Sequence, residues 1–193
     1  MSIQYYEQHA EEFFRRTVNA DMTARRTRFA ALVPRGGRVL DAGCGSGRDA
    51  RAFRDLGFEV TAIEAAAPLA ALATQYAGLP VQVMTFDQIT WRETFDGVWA
   101  SASLLHVPRR ELSAAVQRLR DSLVRGGSLY MSFKYGTGER EVDGRRFTDL
   151  DEAEAQQLLI AVGGLEMLSI VIDEDVRAEC AGQRWLGLIC RRV

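Results

Sequence analysis

Apolar positions recur along this chain with two periods, and the changes between them outline an alternation of helices and strands. Tyr5, Tyr6, Ala10, Phe13, Phe14 and Val18 fall at helical spacing and form one apolar stripe. A second helical stretch covers residues 23–32 and is stopped by Pro34 and Gly36-Gly37. β-Branched and apolar runs predict strands at 38–41, 58–64, 81–84, 95–100 and 128–133. The first helix between them starts near Ser46, its expected cap, ends before Gly57 and has Ala50, Phe53 and Leu56 as its apolar positions. The next opens at Pro68 with Leu69, Leu72, Ala73 and Tyr76 inward. The third opens near Pro108, shows Leu112, Val116, Leu119 and Leu123 on one face, and is ended by Gly126-Gly127. Thr148 with Asp151 predicts a capping box for a helix to about residue 162. Residues 165–172 and 185–193 predict two final strands that form a hairpin-like antiparallel edge.

Strands that alternate with helices predict an α/β fold: a doubly wound, mostly parallel seven-stranded sheet with an antiparallel C-terminal edge strand and helices on both faces. The length of 193 residues fits one domain, with residues 1–35 as a helical cap or lid segment within it. Such a sheet binds its ligand beyond the carboxyl ends of the strands, so the residues just after each strand carry the interest.

After the first strand stands Val39-Leu40-Asp41-Ala42-Gly43-Cys44-Gly45-Ser46-Gly47-Arg48-Asp49. This is a strand end, a glycine turn and a helix start, the form of a nucleotide-type site. Two features disfavour a dinucleotide. The third glycine of a G-x-G-x-x-G pattern counted from Gly43 falls on Arg48, and Asp41 would repel a pyrophosphate. The P-loop lysine is missing too. A carboxylate at the strand tip suits a ligand with an amine and no phosphate, such as S-adenosylmethionine.

These residues, with the later acids, resemble the first motif and spacing of the class I S-adenosylmethionine-dependent methyltransferases. The Gly43–Arg48 hexapeptide is similar to small-molecule members, including the tellurite-resistance type, and the resemblance covers roughly residues 36–134. It implies a cofactor site made by Asp41, Gly43, Gly45, Arg48, Glu64, Ala65, Phe86, Asp87 and Ser101. Glu64, about 20 residues beyond the loop, suits the ribose hydroxyls. Ala65-Ala66-Ala67 offers small groups for an adenine face. An acid at Asp87 often accepts from the adenine amino group in this family, and Ser101 would offer a backbone contact to the methionine end. Arg48 could meet the ligand carboxylate at the helix N-terminus or point to solvent.

The Ser101–His106 segment borders the acceptor pocket in similar enzymes. His106 could be a general base or simply bond the backbone. Lys134 is the single lysine beside 23 arginines, at the tip of the fifth strand. Either its compact ammonium is needed there, or it reflects chance in an arginine-rich composition. Tyr6, on the aromatic N-terminal helix, completes the candidate catalytic group with His106 and Lys134. That helix is either a lid or a face packed permanently on the sheet. Tyr135, Glu141 and Arg146 are candidate substrate contacts.

Net charge is −2 and gives no general pull toward nucleic acid, although residues 15–38 carry seven arginines and one acid, Asp21. They form either a solvated helical face or a basic rim. No Asn/Asp-Pro-Pro-Tyr/Phe stretch occurs, which, by comparison with the family it resembles, disfavours DNA amino-methylation. Cys44, Cys180 and Cys190 lack metal spacing and read as reduced thiols, so no metal is expected. No apolar run spans a membrane and the N-terminus has no signal-peptide form, so a cytoplasmic protein is expected. The sequence thus favours methyl transfer to a small-molecule acceptor by a monomer or homodimer. A catalytically silent S-adenosylmethionine-binding module acting through a partner is the alternative, and a nicotinamide-dependent reductase is disfavoured by Asp41 and Arg48.

Overall fold

A computed structural model describes residues 2–177 and 180–193. Three short helices come first: α1 (Ser2–Gln8), α2 (Ala10–Thr17) and α3 (Thr23–Ala30). The alternating part follows as β1 (Arg38–Ala42), α4 (Arg48–Asp55), β2 (Glu59–Glu64), α5 (Ala67–Ala77), β3 (Val81–Val83), β4 (Phe95–Ala100), α6 (Arg109–Ser122) and β5 (Leu123–Lys134). The chain ends with β6 (Glu139–Val142), β7 (Arg145–Thr148), α7 (Glu152–Val162), β8 (Leu165–Glu174) and β9 (Arg184–Arg192).

Among the described residues, seven strands make one sheet in the order β3-β2-β1-β4-β5-β9-β8, and β6 pairs with β7 as a separate hairpin. The first five are parallel to their neighbours, whereas β9 runs antiparallel to both β5 and β8. The predicted α/β, doubly wound architecture is the one observed. Its antiparallel member is the C-terminal strand, which lies one place inside the sheet with β8 along its outer side.

Central strands are covered on both faces, which is why they read as nearly unbroken apolar runs. Val39, Leu40, Val98, Trp99, Leu129 and Met131 are fully buried. On one face Trp99 meets the rings of Phe29 and Phe53 at 5.3 and 5.4 Å and stacks on Tyr130 at 3.9 Å. On the other, Leu112, Val116 and Leu119 of α6 pack with Leu158 and Leu159 of α7. Because β1 lies between β2 and β4, the connections leaving β1 and β4 diverge and open a crevice between them.

Three local expectations are corrected. The cap of α4 is Gly47, not Ser46. Gly47 has φ 75°, and a Cβ there would stand 2.9 Å from the Ala73 carbonyl oxygen of α5, so only glycine fits. Helix α6 ends at Ser122 and Leu123 already opens β5, where the register slips between the Phe95–Leu123 and Gly97–Ser128 pairs. The glycine pair thus sits inside an irregular strand. Asp151 alone caps α7, accepting from Glu154 N at 2.9 Å, while Thr148 lies in β7 and donates to the Val107 carbonyl at 2.8 Å. The polar stretch after the fifth strand is the β6–β7 hairpin, whose charged residues hid its strand period.

Candidate functional site

A cavity of about 740 Å³ opens at the carboxyl ends of β1, β2, β4 and β5. This is within the size range of small-molecule sites. Its floor at one end is the glycine loop. Gly43 has φ 79°, and a Cβ on it would fall 2.5 Å from Ser103 Cβ, so the loop approaches the β4 connection as only glycine allows. Gly43 N and Cys44 N both donate to the Ile63 carbonyl at 2.9 Å, which ties the loop to β2.

Two acids face this end. Glu64, buried at the tip of β2, accepts from Gly45 N with one carboxylate oxygen and from Ala66 N with the other, each at 3.0 Å. Burial pushes its pKa up and the amide donors oppose the shift. Asp41 is 2% exposed, and its Oδ2 has no hydrogen-bond partner among the described residues. Burial, with repulsion from Asp49, raises its pKa well above the carboxylate range, while Arg48 opposes this. A buried carboxylate oxygen left unpaired is costly unless a donor or a cation reaches it. Glu64, with one protein donor on each oxygen, keeps further lone pairs for a ligand.

Arg48 does not point to solvent. Its guanidinium grips Asp49 at 2.6 and 3.1 Å and donates to the Thr17 carbonyl at 3.2 Å. Asp49 also takes Arg26 at 2.7 Å and the Trp99 indole N–H at 3.1 Å. Burial disfavours its charge, but Arg48 and Arg26 outweigh burial and hold its carboxyl below the usual range. This junction joins the loop to α3 and the sheet. Sequence reading passed over Asp49; an acid in the first turn of the helix beside Arg48 was its available signal.

The opposite end is formed by α1, the β6–β7 hairpin and the 104–106 turn after β4. His106 Nδ1 lies 2.7 Å from the Arg146 carbonyl, which can only accept, so Nδ1 carries the proton. Nε2 is then the acceptor, and the Tyr6 hydroxyl donates to it at 2.7 Å. Burial drops the His106 pKa to about 4 and lifts that of Tyr6 to about 12, so the pair is neutral at pH 7. Helix α1 is further tied down by Arg146 N donating to Ser2 Oγ at 3.0 Å and by the Arg145 guanidinium 4.5 Å from the Tyr5 ring centre. Lys134 Nζ stands 4.6 Å from the centre of the Phe147 ring, its pKa lowered by burial and by Arg140.

Of the residues singled out in the sequence, Asp41, Gly43, Gly45, Arg48, Glu64, Ala65, Phe86, Asp87 and Ser101 line this one cavity, as do Tyr6, His106, Lys134 and Arg146. Phe86 and Asp87 do so from a short 3-10 turn capped by Thr85 and Gln88. Arg146 contributes its carbonyl to His106, while its guanidinium pairs with Glu139 at 3.2 Å. Tyr135 and Glu141 are not brought to the cavity. Side chains alternate along a strand, so Tyr135 points away from Lys134, and its hydroxyl donates to Glu152 at 3.0 Å. Glu141 lies exposed on β6 opposite Arg146. Arg145 and Phe147, which no motif marked, line the cavity instead.

Residues 39–127 match the family profile described as a methyltransferase domain. This stretch, a little under half of the chain, is similar to a methyltransferase domain. A curated relative from Staphylococcus carnosus, an uncharacterized methyltransferase, is 34% identical over 93 residues. That match covers 48% of this chain and 45% of the relative, so the chain spans about half the length of the curated relatives it matches. Two solved methyltransferases share the fold. One is the 1,6-didemethyltoxoflavin-N1-methyltransferase of Burkholderia thailandensis, solved with 1,6-didemethyltoxoflavin and S-adenosylhomocysteine; it has a TM-score of 0.79 and 22% identity over 99% of this chain and 85% of that one. The other is a TehB-like S-adenosylmethionine-dependent methyltransferase of Corynebacterium glutamicum, with a TM-score of 0.71 and 20% identity over 99% of this chain and 98% of that one. No helix among the described residues is long and apolar enough to cross a membrane, and the three cysteines are free.

Proposed function

We propose that this protein binds S-adenosylmethionine and moves its methyl group to a small-molecule acceptor. The observation that carries the reading is the pair of buried acids at the glycine loop, Asp41 with an unpaired oxygen and Glu64 with lone pairs to spare. An ammonium beside Asp41 satisfies the first, and two ribose hydroxyls satisfy the second. Gly43 and Gly45 give the ligand access to the backbone; Ala65, Phe86 and Asp87 serve the adenine; Ser101 serves the methionine end. Arg48 positions the loop through Asp49. The ligand supplies an activated methyl on a sulfonium: the acceptor's lone pair forms the new bond to carbon while the carbon–sulfur pair stays on sulfur.

The chain's own part is to align the acceptor and keep water out. Tyr6, His106 and Lys134 do this at the hairpin end, with Arg146 holding the His106 tautomer. A histidine with a pKa near 4 is a weak base. It suffices for a proton that becomes acidic once the nucleophile is methylated. Residues 1–35 act as a cap on a single domain, working in the cytoplasm without nucleic acid or membrane. A silent module would bind the ligand and never turn over. The test is incubation with methyl-labelled S-adenosylmethionine and a small-molecule extract: labelled product supports the reading, and binding without any transfer favours the silent module.

A further inference from the structure

Around the Phe147 ring the charges do not balance. Lys134 Nζ, Arg140 and Arg145 lie 4.6, 4.8 and 5.3 Å from its centre. Arg140 has a buried partner, Asp149, at 2.6 Å. Among the described residues the one carboxylate paired with Arg145 is Asp143, 3.6 Å away on a side chain 74% exposed; its other side-chain partner is the neutral Tyr6 hydroxyl, and its Nε is buried without a hydrogen-bond partner. Such an exposed pair screens little charge. Lys134 forms no ion pair among the described residues. Three cations thus share one firmly held carboxylate around a ring of the cavity wall; of the three, Lys134 and Arg145 line the cavity and are partly buried, while Arg140 lies outside it.

Like charges gathered away from water are unfavourable unless an anion completes them. The same ring touches His106, with centroids 5.1 Å apart, so the excess charge lies beside the Tyr6–His106 pair. This is the mirror image of the glycine-loop end, where the unpaired group is a carboxylate. Resting on the methyltransferase reading, we infer that the acceptor is a small organic acid whose carboxylate docks between Lys134 and Arg145, with its methyl-accepting hydroxyl or amine at the Tyr6–His106 pair.

The test uses the full chain saturated with S-adenosylhomocysteine. Calorimetry compares hydroxy- and amino-acids with their neutral amides: 4-hydroxybenzoate with 4-hydroxybenzamide, salicylate with salicylamide, 4-aminobenzoate with 4-aminobenzamide, and glycolate with glycolamide. Inorganic phosphate is the control for a bare anion site. At least one acid binds about tenfold more tightly than its amide, and the preference collapses in Lys134→Met and Arg145→Met. A set in which no acid surpasses its amide overturns the inference, as does a preference untouched by both variants or a response to phosphate alone. A second readout needs no acceptor. Removing an unmatched charge relieves the ligand-free fold, so Lys134→Met raises its melting temperature; a clear fall would assign the ammonium to the fold and overturn the role. Failure of S-adenosylhomocysteine to bind in the same samples would instead strike the methyltransferase reading.

Discussion

At the glycine-loop end, the contacts run between near neighbours: Glu64 reaches Gly45 and Ala66, 19 and 2 residues away. At the hairpin end, Tyr6 meets His106 across 100 residues, and Arg146 holds His106 across 40. One end is made mostly of backbone, with two buried acids lining the cavity. The other is made of side chains from three separate elements, with cations in excess. The contrast teaches where variation is tolerated. A backbone cradle suits a ligand that never changes, while a side-chain wall can be rebuilt for a new acceptor without disturbing the sheet.

The sharpest way to break this division is to cut the junction joining the loop to α3. Asp49→Ala leaves the Arg26 and Arg48 guanidiniums without their buried partner and should cost about 3–5 kcal/mol of stability, read from the urea midpoint. A loss below about 1 kcal/mol would mean that the loop holds its shape without the junction. Glu64→Ala is the next largest: it should weaken S-adenosylmethionine by about 1.5–3 kcal/mol with the fold intact, since the residue caps a strand tip. Unchanged affinity would remove Glu64 from the cradle.

At the hairpin end the effects are smaller. In the unfolded chain the His106 imidazole protonates near 6.5, whereas in the fold it stays neutral until about 4. The unfolded state therefore takes up the proton first, and stability falls progressively as pH drops through that window. The His106→Gln variant should lack this component in a pH series of melting temperatures; an identical slope in both proteins would contradict the buried neutral histidine. Tyr6→Phe leaves Nε2 without its donor and should cost about 0.5–1.5 kcal/mol, with S-adenosylhomocysteine affinity unchanged. A loss of that affinity would show the two ends to be one coupled unit.

The same contrast explains what could be read from sequence. The strands, their mostly parallel sense and the glycine loop with its two acids were legible because their signals are local: buried strands read as apolar runs, and a glycine loop with Asp41 and Glu64 has a recognisable spacing. The hairpin end was legible only in part. Tyr6, His106 and Lys134 were marked by residue type, but nothing in their spacing showed that Tyr6 and His106 meet. The β6–β7 hairpin was hidden because charged residues on both its faces erase the period of two. Arg145 stood unnoticed beside Arg146, and a strand's alternation decided which guanidinium borders the Tyr5 and Phe147 rings. Caps misled for a similar reason: Gly47 replaces Ser46 because α5 packs against it, a tertiary contact that propensity does not carry.

The most direct test of the central claim is a calorimetric titration of the folded chain with S-adenosylhomocysteine, beside NADH and beside the Glu64→Ala variant. The account predicts one site of low micromolar affinity, on the order of −8 kcal/mol, weakened in the variant, with no competing NADH site. Absence of heat from demonstrably folded protein, or tighter binding of NADH, would contradict it.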